Sequence, residues 1–245
     1  MALYEVVRNR IRAILRVAGY DFVRSSRMTT AASRRARMIR YHAIQTVVDV
    51  GANIGEYGAE LREWGFQGRI LSIEPTSAAF GALSERASGD ARWTVLRFAA
   101  GAENGVAKIN VASNAGASSS LIPMLDSHRK SAPEVKFVAS EQVEIRTLDT
   151  ALADLIVPGE SLMLKIDTQG FEQMVLRGAT ATLTQVRLIE CELSFVPLYE
   201  GQLIFHRMLE LLDSLGFYVV QFAPGFPDPE SGHCLQVDGI FARKQ

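Results

Sequence analysis

The chain has 245 residues, of which 48% are hydrophobic and 22% charged, as in a globular protein of one or two domains and unlike a disordered or fibrous chain. No apolar run approaches the ~18 residues of a membrane span, and no segment has the pattern of a secretory signal. Two cysteines, Cys191 and Cys234, are too few for a disulfide framework, so we expect reduced core thiols. Together these features predict a cytoplasmic protein.

The net charge of −1 conceals a strong asymmetry along the chain. Ten arginines and two acids give residues 1–40 a charge of +8, and the other 205 residues carry −9. This predicts a basic N-terminal arm (1–40) before a folded domain (41–245). Residues 3–18 are predicted as an amphipathic helix that contacts an anionic membrane surface peripherally or packs on its own domain. Residues 25–40 are predicted as a link or a second helix. Because the arm lacks interleaved aromatic residues, nucleic acid is not an expected partner.

From residue 46 the sequence alternates strands and helices, which predicts a mostly parallel sheet with helices on both faces. The predicted strands cover residues 46–50, 69–73, 93–98, 161–167, 186–193, 217–222 and 235–242, with a bulge at 237–240. The predicted helices cover residues 55–64, 77–87, 171–177 and 203–215, and Ser77 is expected to be an N-cap. Residues 102–148 interrupt this order with two strands around a small, polar run, as in a lid or a substrate-binding segment.

The sequence VVDVGANIG (residues 47–55) joins a buried strand to a helix start through glycine, a pattern typical of a nucleoside cradle. Glu74 ends the next strand, at a spacing suited to a carboxylate that accepts hydrogen bonds from a ribose. A dinucleotide site would need bare backbone at Asn53, and the carboxylate of Glu56 would repel a pyrophosphate. The cradle therefore suits a cationic cofactor better than an anionic one.

S-adenosylmethionine carries a sulfonium cation and no phosphate, and it is therefore the expected cofactor. Asp49 is expected to balance the positive charge, directly or through water. The backbone from Gly51 through Asn53 to Gly55 is expected to hold the carboxylate of the cofactor, and Glu74 its ribose hydroxyls.

Three sequence motifs occur in order: VVDVGANIG (47–55), SIEP (72–75), and LKIDTQGFE (164–172) followed by VLRGA (175–179). They resemble the motifs of the FkbM family of S-adenosylmethionine-dependent methyltransferases, over residues 45–243. The resemblance implies a class I, Rossmann-like α/β fold: a mostly parallel seven-stranded sheet with helices on both faces and a small inserted β/loop segment. It also implies that Pro75 and Ala100 complete the cofactor site, and that the reaction is O-methylation of a sugar, glycolipid or natural-product hydroxyl. Gln169 departs from the family pattern, which commonly has Glu there.

Methyl transfer to a hydroxyl benefits from a general base, and open α/β sheets place such groups at the C-terminal ends of their strands. Asp167 ends a buried strand and is the first candidate, with capping of the helix near Phe171 as the alternative. Glu192 ends the next strand, where it and Glu190 could bind acceptor hydroxyls or form structural pairs. His233 lies in a loop rich in proline and glycine and is the third candidate.

Two charged residues of the same region are predicted to be structural. Lys165 is interpreted as a buried ion-pair partner of Asp167 rather than a catalytic group, and Glu172 as a first-turn helix acid. No metal site is predicted. Asp167 and Glu192 could hold a divalent ion, but nothing in the sequence requires one.

Two other functions are open to a chain of this pattern. One is a non-catalytic member of the fold that binds cofactor or membrane without turnover, which the departure at Gln169 allows. The other is a nicotinamide-dependent reductase, which Asn53 and Glu56 disfavour. The predicted partner of the enzyme is a small-molecule or glycolipid hydroxyl acceptor.

Overall fold

The computed structural model of the protein describes residues 30–244 together with positions 10, 11 and 17. Apart from those three positions, the amphipathic helix predicted over residues 3–18 and the start of the segment predicted over 25–40 lie outside the described residues. Within the described part of the chain, no helix is long and apolar enough to cross a membrane.

The strands are β1 (Thr46–Val50), β2 (Arg69–Ile73), β3 (Trp93–Leu96), β4 (Ala99–Ala100), β5 (Gly105–Ala112), β6 (Phe137–Arg146), β7 (Leu162–Ile166), β8 (Val186–Ser194), β9 (Phe217–Pro224) and β10 (Gln236–Arg243). Seven of them form one sheet in the order β3-β2-β1-β7-β8-β10-β9, in which β10 runs antiparallel to both neighbours. The other pairings in this sheet are parallel, so β1, β2, β7 and β8 end at the same edge. The sheet confirms the predicted fold class. β10 shifts its register against β9 between Ile240 and Phe241, at the end of the range predicted for a bulge.

The helices are α1 (Ala31–Tyr41), α2 (Glu56–Glu63), α3 (Ser77–Ala87), α4 (Asp126–Ser131), α5 (Leu148–Ala151), α6 (Glu172–Arg177), α7 (Thr180–Leu183) and α8 (Phe205–Ser214). Neighbouring strand residues point to opposite faces of the sheet. Val47 accordingly packs with Leu61 of α2, and Val48 packs in a second cluster with Val175 of α6. With both faces covered, all five residues of β1 are buried.

The segment between β3 and β7 forms a second sheet in the order β4-β6-β5. The strand predicted over residues 93–98 ends at Leu96, because Ala99 and Ala100 pair with β6 in this second sheet. The insertion predicted over 102–148 contains β5, α4 and β6, and its Met124 packs in one cluster with Tyr199, which follows β8. The insertion therefore lies against the edge where the parallel strands end.

Two smaller expectations are wrong. Thr76, not Ser77, is the N-cap of α3, and the Thr76 hydroxyl donates to Glu74 instead of capping the helix. Cys191 is buried as expected, but Cys234 is exposed, because it lies in the loop before β10 and not in the strand. Both cysteines are free thiols.

Helix α1 packs as part of the folded body. Its Arg35 guanidinium donates to both carboxylate oxygens of Glu190 at 2.7 Å, contacts the Glu60 carboxylate and lies 4.6 Å from the centre of the Tyr57 ring. The Tyr57 hydroxyl also donates to Glu190, at 2.7 Å. The predicted domain boundary between residues 40 and 41 thus falls within α1. Arg35 of this helix is ion-paired with Glu190 of the large sheet.

We predict that Arg35→Ala destabilises the protein by about 3–5 kcal/mol, because it leaves a buried carboxylate without its cation. The Glu190 side chain is only 8% exposed. Urea unfolding measures the loss, and Arg37→Ala, at an exposed position of the same helix, is the control. A loss that does not exceed that of the control would contradict the anchoring role.

Candidate functional site

A cavity of about 520 Å³ opens at the C-terminal edge of the large sheet, within the ~300–1,000 Å³ range typical of small-molecule sites. Its walls come from the loop after β1, the end of β2, the turn after β7, strands β8 and β10, and the insertion around residues 116–121. Open α/β sheets bind their ligands outside the carboxyl ends of the strands. The cavity is therefore the candidate functional site.

The loop after β1 is pressed against the neighbouring strand ends. The N–H groups of Gly51 and Ala52 both donate to the Ile73 carbonyl, at 3.0 Å each. Gly51 has a φ of 75°, and a Cβ there would lie 1.8 Å from the carbonyl oxygen of Asp167, so a side chain cannot fit. Asn53 has a φ of 46°, a conformation that asparagine adopts more readily than most residues. The N–H groups of Gly51, Ala52 and Asn53 thus all bond within the protein, while the three residues line the cavity.

Glu74 organises this loop from the end of β2. Its carboxylate accepts from the N–H of Asn53 at 3.0 Å, from the N–H of Thr76 at 2.9 Å and from the Thr76 hydroxyl at 2.6 Å. Burial raises the pKa of Glu74, and these hydrogen bonds oppose the rise because they favour the ionised form. The carboxylate therefore fixes the loop and also lies in the cavity wall.

The ammonium group of Lys165 lies between the ends of β1 and β7. Its Nζ is 3.3 Å from Asp49 Oδ1 and 3.5 Å from Asp167 Oδ2, and it donates to the Gly51 carbonyl at 3.2 Å. Burial lowers the pKa of Lys165, but the two carboxylates outweigh burial and raise it above its ordinary value. The ion pair that the sequence predicted between Lys165 and Asp167 is present, and it extends to Asp49.

The side-chain amide of Gln169 joins two carboxylates in the turn after β7. Its Nε2 donates to Asp167 Oδ1 at 2.8 Å and to Glu192 Oε2 at 3.3 Å. Its Oε1 accepts from the Tyr199 hydroxyl at 2.7 Å. Gln169 itself has a φ of 55°, a conformation uncommon for glutamine.

Glu172 holds the same turn from the first residue of α6. Its Oε1 accepts from the N–H groups of Thr168 and Gly170, at 3.0 Å each. Glu172 thus holds the turn that precedes α6, and neither it nor Asp167 caps that helix, whose N-cap is Phe171 with no side-chain hydrogen bond. The Asp167 side chain is 40% exposed and lines the cavity.

Three carboxylates of β8 and β10 line the cavity. Glu190 and Glu192 lie on the same face of β8, and Asp238 of β10 is paired with Glu192 in register. Glu190 is held by Arg35, so it is a structural partner. Burial, and after it neighbouring carboxylates that include Asp167 and Asp238, raise the pKa of Glu192 well above its ordinary value. Burial, and after it the charges of Glu190 and Asp167, raise the pKa of Asp238 to about 6.

Comparison with known proteins identifies the family. The family sequence model described as the methyltransferase FkbM domain matches residues 49–219, which are most of the chain. The chain belongs to the FkbM methyltransferase family. The 2-O-methyltransferase NoeI of Sinorhizobium fredii is 28% identical over 184 residues, which are 73% of this chain and 75% of that protein.

Solved structures with a similar fold include another FkbM protein. The methyltransferase FkbM from Methylobacillus flagellatus is 16% identical, with a TM-score of 0.46 over 80% of this chain; the match spans 43% of that chain, less than half its length. Fibrillarin from Aeropyrum pernix, solved with natively bound S-adenosyl-L-methionine, is 11% identical, with a TM-score of 0.46 over 80% of this chain and 66% of that one. At these scores the likenesses add nothing to the argument from the site.

The cavity of this FkbM-family chain collects most of the residues that the sequence singled out. Those that line it are Gly51, Asn53, Glu74, Pro75, Ala100, Asp167 and Glu192. Their roles in binding and catalysis remain predictions.

Three of the predicted site residues do not line the cavity. Asp49 is fully buried behind the loop, where Lys165 and the Ser72 hydroxyl, 3.2 Å away, hold its carboxylate. Direct contact between Asp49 and a bound cation is therefore not supported. Gly55 faces α3, since a Cβ there would meet Leu83 at 2.8 Å. His233 is exposed in the loop between β9 and β10, which keeps it out of the cavity wall.

Asp238 and Tyr199 were missed by the sequence interpretation. Asp238 had a usable signal, because it is an acid inside an otherwise apolar strand. Tyr199 had none, since it reaches Gln169 from 30 positions along the chain. Among residues 30–244, no group of three or more His, Cys, Asp or Glu side chains is arranged to hold a metal ion.

We predict that Asp238→Asn stabilises the ligand-free protein at high pH. The ordinary carboxyl pKa of 3.8 rises to about 6 in the folded protein, so the folded state loses stability as pH increases from about 4 to 6. Asn removes this cost. We expect a higher melting temperature above pH 6, by about 2–4 °C for each kcal/mol relieved, and little change at pH 4.

Thermal unfolding at pH 4 and pH 8 measures the effect, with Asp154→Asn at an exposed position as the control. If the melting temperature of Asp238→Asn differs from that of wild type equally at the two pH values, ionisation of Asp238 does not destabilise the folded protein.

Proposed function

We propose that this chain is an S-adenosylmethionine-dependent O-methyltransferase, which methylates a hydroxyl group of a sugar, glycolipid or natural product. The main observation behind the proposal is that Lys165 joins two walls of the cavity. It donates to the Gly51 carbonyl in the loop after β1 and also contacts the exposed carboxylate of Asp167. A cofactor bound on the loop would thus lie beside a carboxylate placed to accept a proton. Family membership and the 2-O-methyltransferase relative support the same reaction.

The residues present fit this cofactor. The residues from Gly51 to Asn53 line the cavity beside Glu74, whose carboxylate lies in the wall where ribose hydroxyls can donate to it. Seven carboxylates and two cationic side chains line the cavity. A negative cavity attracts a sulfonium and repels a pyrophosphate, which favours this cofactor over a dinucleotide.

The chemistry requires alignment and removal of one proton. When bound, the cofactor supplies a methyl carbon on a positively charged sulfur; the carbon–sulfur bond breaks with its electron pair left on sulfur, and a carbon–oxygen bond forms to the acceptor. Asp167 is proposed to take the proton of the acceptor hydroxyl, and Glu192 to hold that hydroxyl by accepting a hydrogen bond. Positioning and a general base are each worth orders of magnitude in rate.

The charge of the cavity also favours one class of acceptor. Asp167, Glu192 and Asp238 form an acidic part of the cavity wall, in which the Gln169 amide joins the first two and Asp238 pairs in register with Glu192. A phosphate or carboxylate on the acceptor would be repelled there, whereas neutral hydroxyl groups can donate to the carboxylates. We therefore propose a neutral polyhydroxyl acceptor.

The proposal predicts that Asp167→Asn lowers turnover by at least ~100-fold, the lower range for loss of a general base. The affinity for S-adenosylhomocysteine should stay within a factor of about two, because the loop that binds it is intact. Transfer of a labelled methyl group to a panel of neutral glycosides and glycolipids measures turnover, and calorimetry measures affinity.

Asp154→Asn, at an exposed carboxylate, is the control and should behave as wild type. Wild-type turnover in Asp167→Asn would remove Asp167 as the base. No transfer by the wild-type protein to any hydroxyl acceptor would contradict the O-methyltransferase proposal itself.

A further inference from the structure

We propose that Gln169 is a positioning residue, which holds the carboxylates of Asp167 and Glu192 side by side at the acceptor end of the cavity, and that Tyr199 fixes the orientation of its amide. This inference rests on the proposed function, because it concerns the acceptor end of the same site. Asp167 and Glu192 are proposed to contact the acceptor, whereas Gln169 and Tyr199 are proposed to position those two carboxylates.

The hydrogen bonds of the amide determine its orientation. With Oε1 toward Tyr199, the phenol hydroxyl donates at 2.7 Å and the NH₂ group of Gln169 faces two carboxylate oxygens. In the flipped orientation, Oε1 would face oxygens of Asp167 and Glu192 at about the same distances. Acceptors would then oppose acceptors, which is unfavourable unless a carboxyl is protonated. The carboxylates therefore select the orientation in which the amide donates to both, and the Tyr199 hydroxyl, which donates to Oε1, holds it there.

This arrangement leaves one oxygen of each carboxylate for the acceptor. Gln169 occupies Asp167 Oδ1 and Glu192 Oε2. Asp167 Oδ2 lies 3.5 Å from Lys165 Nζ, and because the side chain is 40% exposed, a hydroxyl can reach this oxygen as well. The amide thereby sets the separation of the two acids without taking part in the transfer.

The backbone of the turn is fixed from the side of the insertion. The Ser120 hydroxyl donates to the Gln169 carbonyl at 2.8 Å. At Gly170, a Cβ would lie 2.7 Å from the Tyr199 Cβ and 2.9 Å from Ile122 Cδ1, so the turn packs closely against both and has no room for a side chain. A glutamine held at a positive φ by such packing is a costly local conformation, of the kind that surrounding structure maintains at functional sites.

The charges around Glu192 explain why a neutral amide matters at this position. The titratable and charged groups that face it are Lys165 and Asp167 from β7 and its turn, Glu172 from α6, Glu190 from β8, Asp238 from β10 and Tyr199 from the loop after β8. Most are acidic. A further carboxylate at position 169 would raise the apparent pKa values of this cluster, because ionised acids repel one another.

Gln169→Glu tests the role of the amide, since it keeps the size of the side chain and replaces the donor by an acid. We expect the acidic limb of the kcat–pH profile to move to higher pH by about one unit, with roughly tenfold less turnover at pH 7. The KM for the cofactor should be unchanged. Gln67→Glu, at an exposed position, is the matched control and should leave the profile unchanged. An unshifted profile in Gln169→Glu would overturn the proposal.

Tyr199→Phe tests the orientation of the amide. It keeps the packing of a fully buried ring and removes only the hydroxyl, so we expect a several-fold lower kcat with unchanged affinity for S-adenosylhomocysteine. In a Gln169→Met background, which has no amide to orient, the same substitution should have no further effect. If Tyr199→Phe lowers kcat by the same factor in the Gln169→Met background as in wild type, Tyr199 acts through another contact. Tyr218→Phe, at an exposed tyrosine, is the control.

A readout without turnover separates this inference from the proposed function. In ligand-free protein, the melting temperature of Gln169→Glu should fall further below wild type at pH 8 than at pH 5, because the added acid must ionise within the cluster. A difference that is the same at both pH values would contradict the coupling. If the pH-dependent difference is present but the wild-type protein transfers no methyl group, the coupling stands and the proposed function fails.

Discussion

The structure of the site depends on one buried cation. The ammonium of Lys165 contacts the carboxylates of Asp49 and Asp167 and the carbonyl of Gly51, so it joins the ends of two adjacent strands. Asp49 is fully buried, and without Lys165 its negative charge would have no counterion. The buried Asp49 carboxylate thus holds Lys165 in place, and Lys165 in turn lies between the loop and the exposed acid.

The second half of the cavity is assembled from parts that are distant in sequence. Helix α1 supplies Arg35 to neutralise Glu190, and the insertion supplies Ser120 to hold the Gln169 carbonyl. The loop after β8 supplies Tyr199, whose hydroxyl reaches the Gln169 amide. Among residues 30–244, Glu190 has Arg35 as its cation, whereas Glu192 forms no salt bridge. Helix α1 and the insertion therefore affect the chemistry of the site indirectly. Helix α1 neutralises Glu190, and the insertion holds the Gln169 carbonyl.

The sequence predicted the large sheet well, because buried strands and covering helices leave strong periodic signals. It also predicted the loop after β1 and the acid at Asp167, since glycine and a strand-ending carboxylate are local features. It could not predict the pairing of Arg35 with Glu190, which lie 155 positions apart, or the capture of Asp49 by Lys165 rather than by a ligand. These depend on which side chains meet after folding, and residue type alone does not determine that.

Calorimetry with S-adenosylhomocysteine and NAD shows whether the cavity binds S-adenosylmethionine rather than a dinucleotide. We expect one S-adenosylhomocysteine per chain, no binding of NAD, and about tenfold weaker S-adenosylhomocysteine binding in Glu74→Ala, the scale for loss of a hydrogen bond to a charged group. Glu63→Ala, at an exposed position, should bind as wild type. Tight binding of NAD without binding of S-adenosylhomocysteine, or unchanged affinity in Glu74→Ala, would contradict the proposed cofactor site.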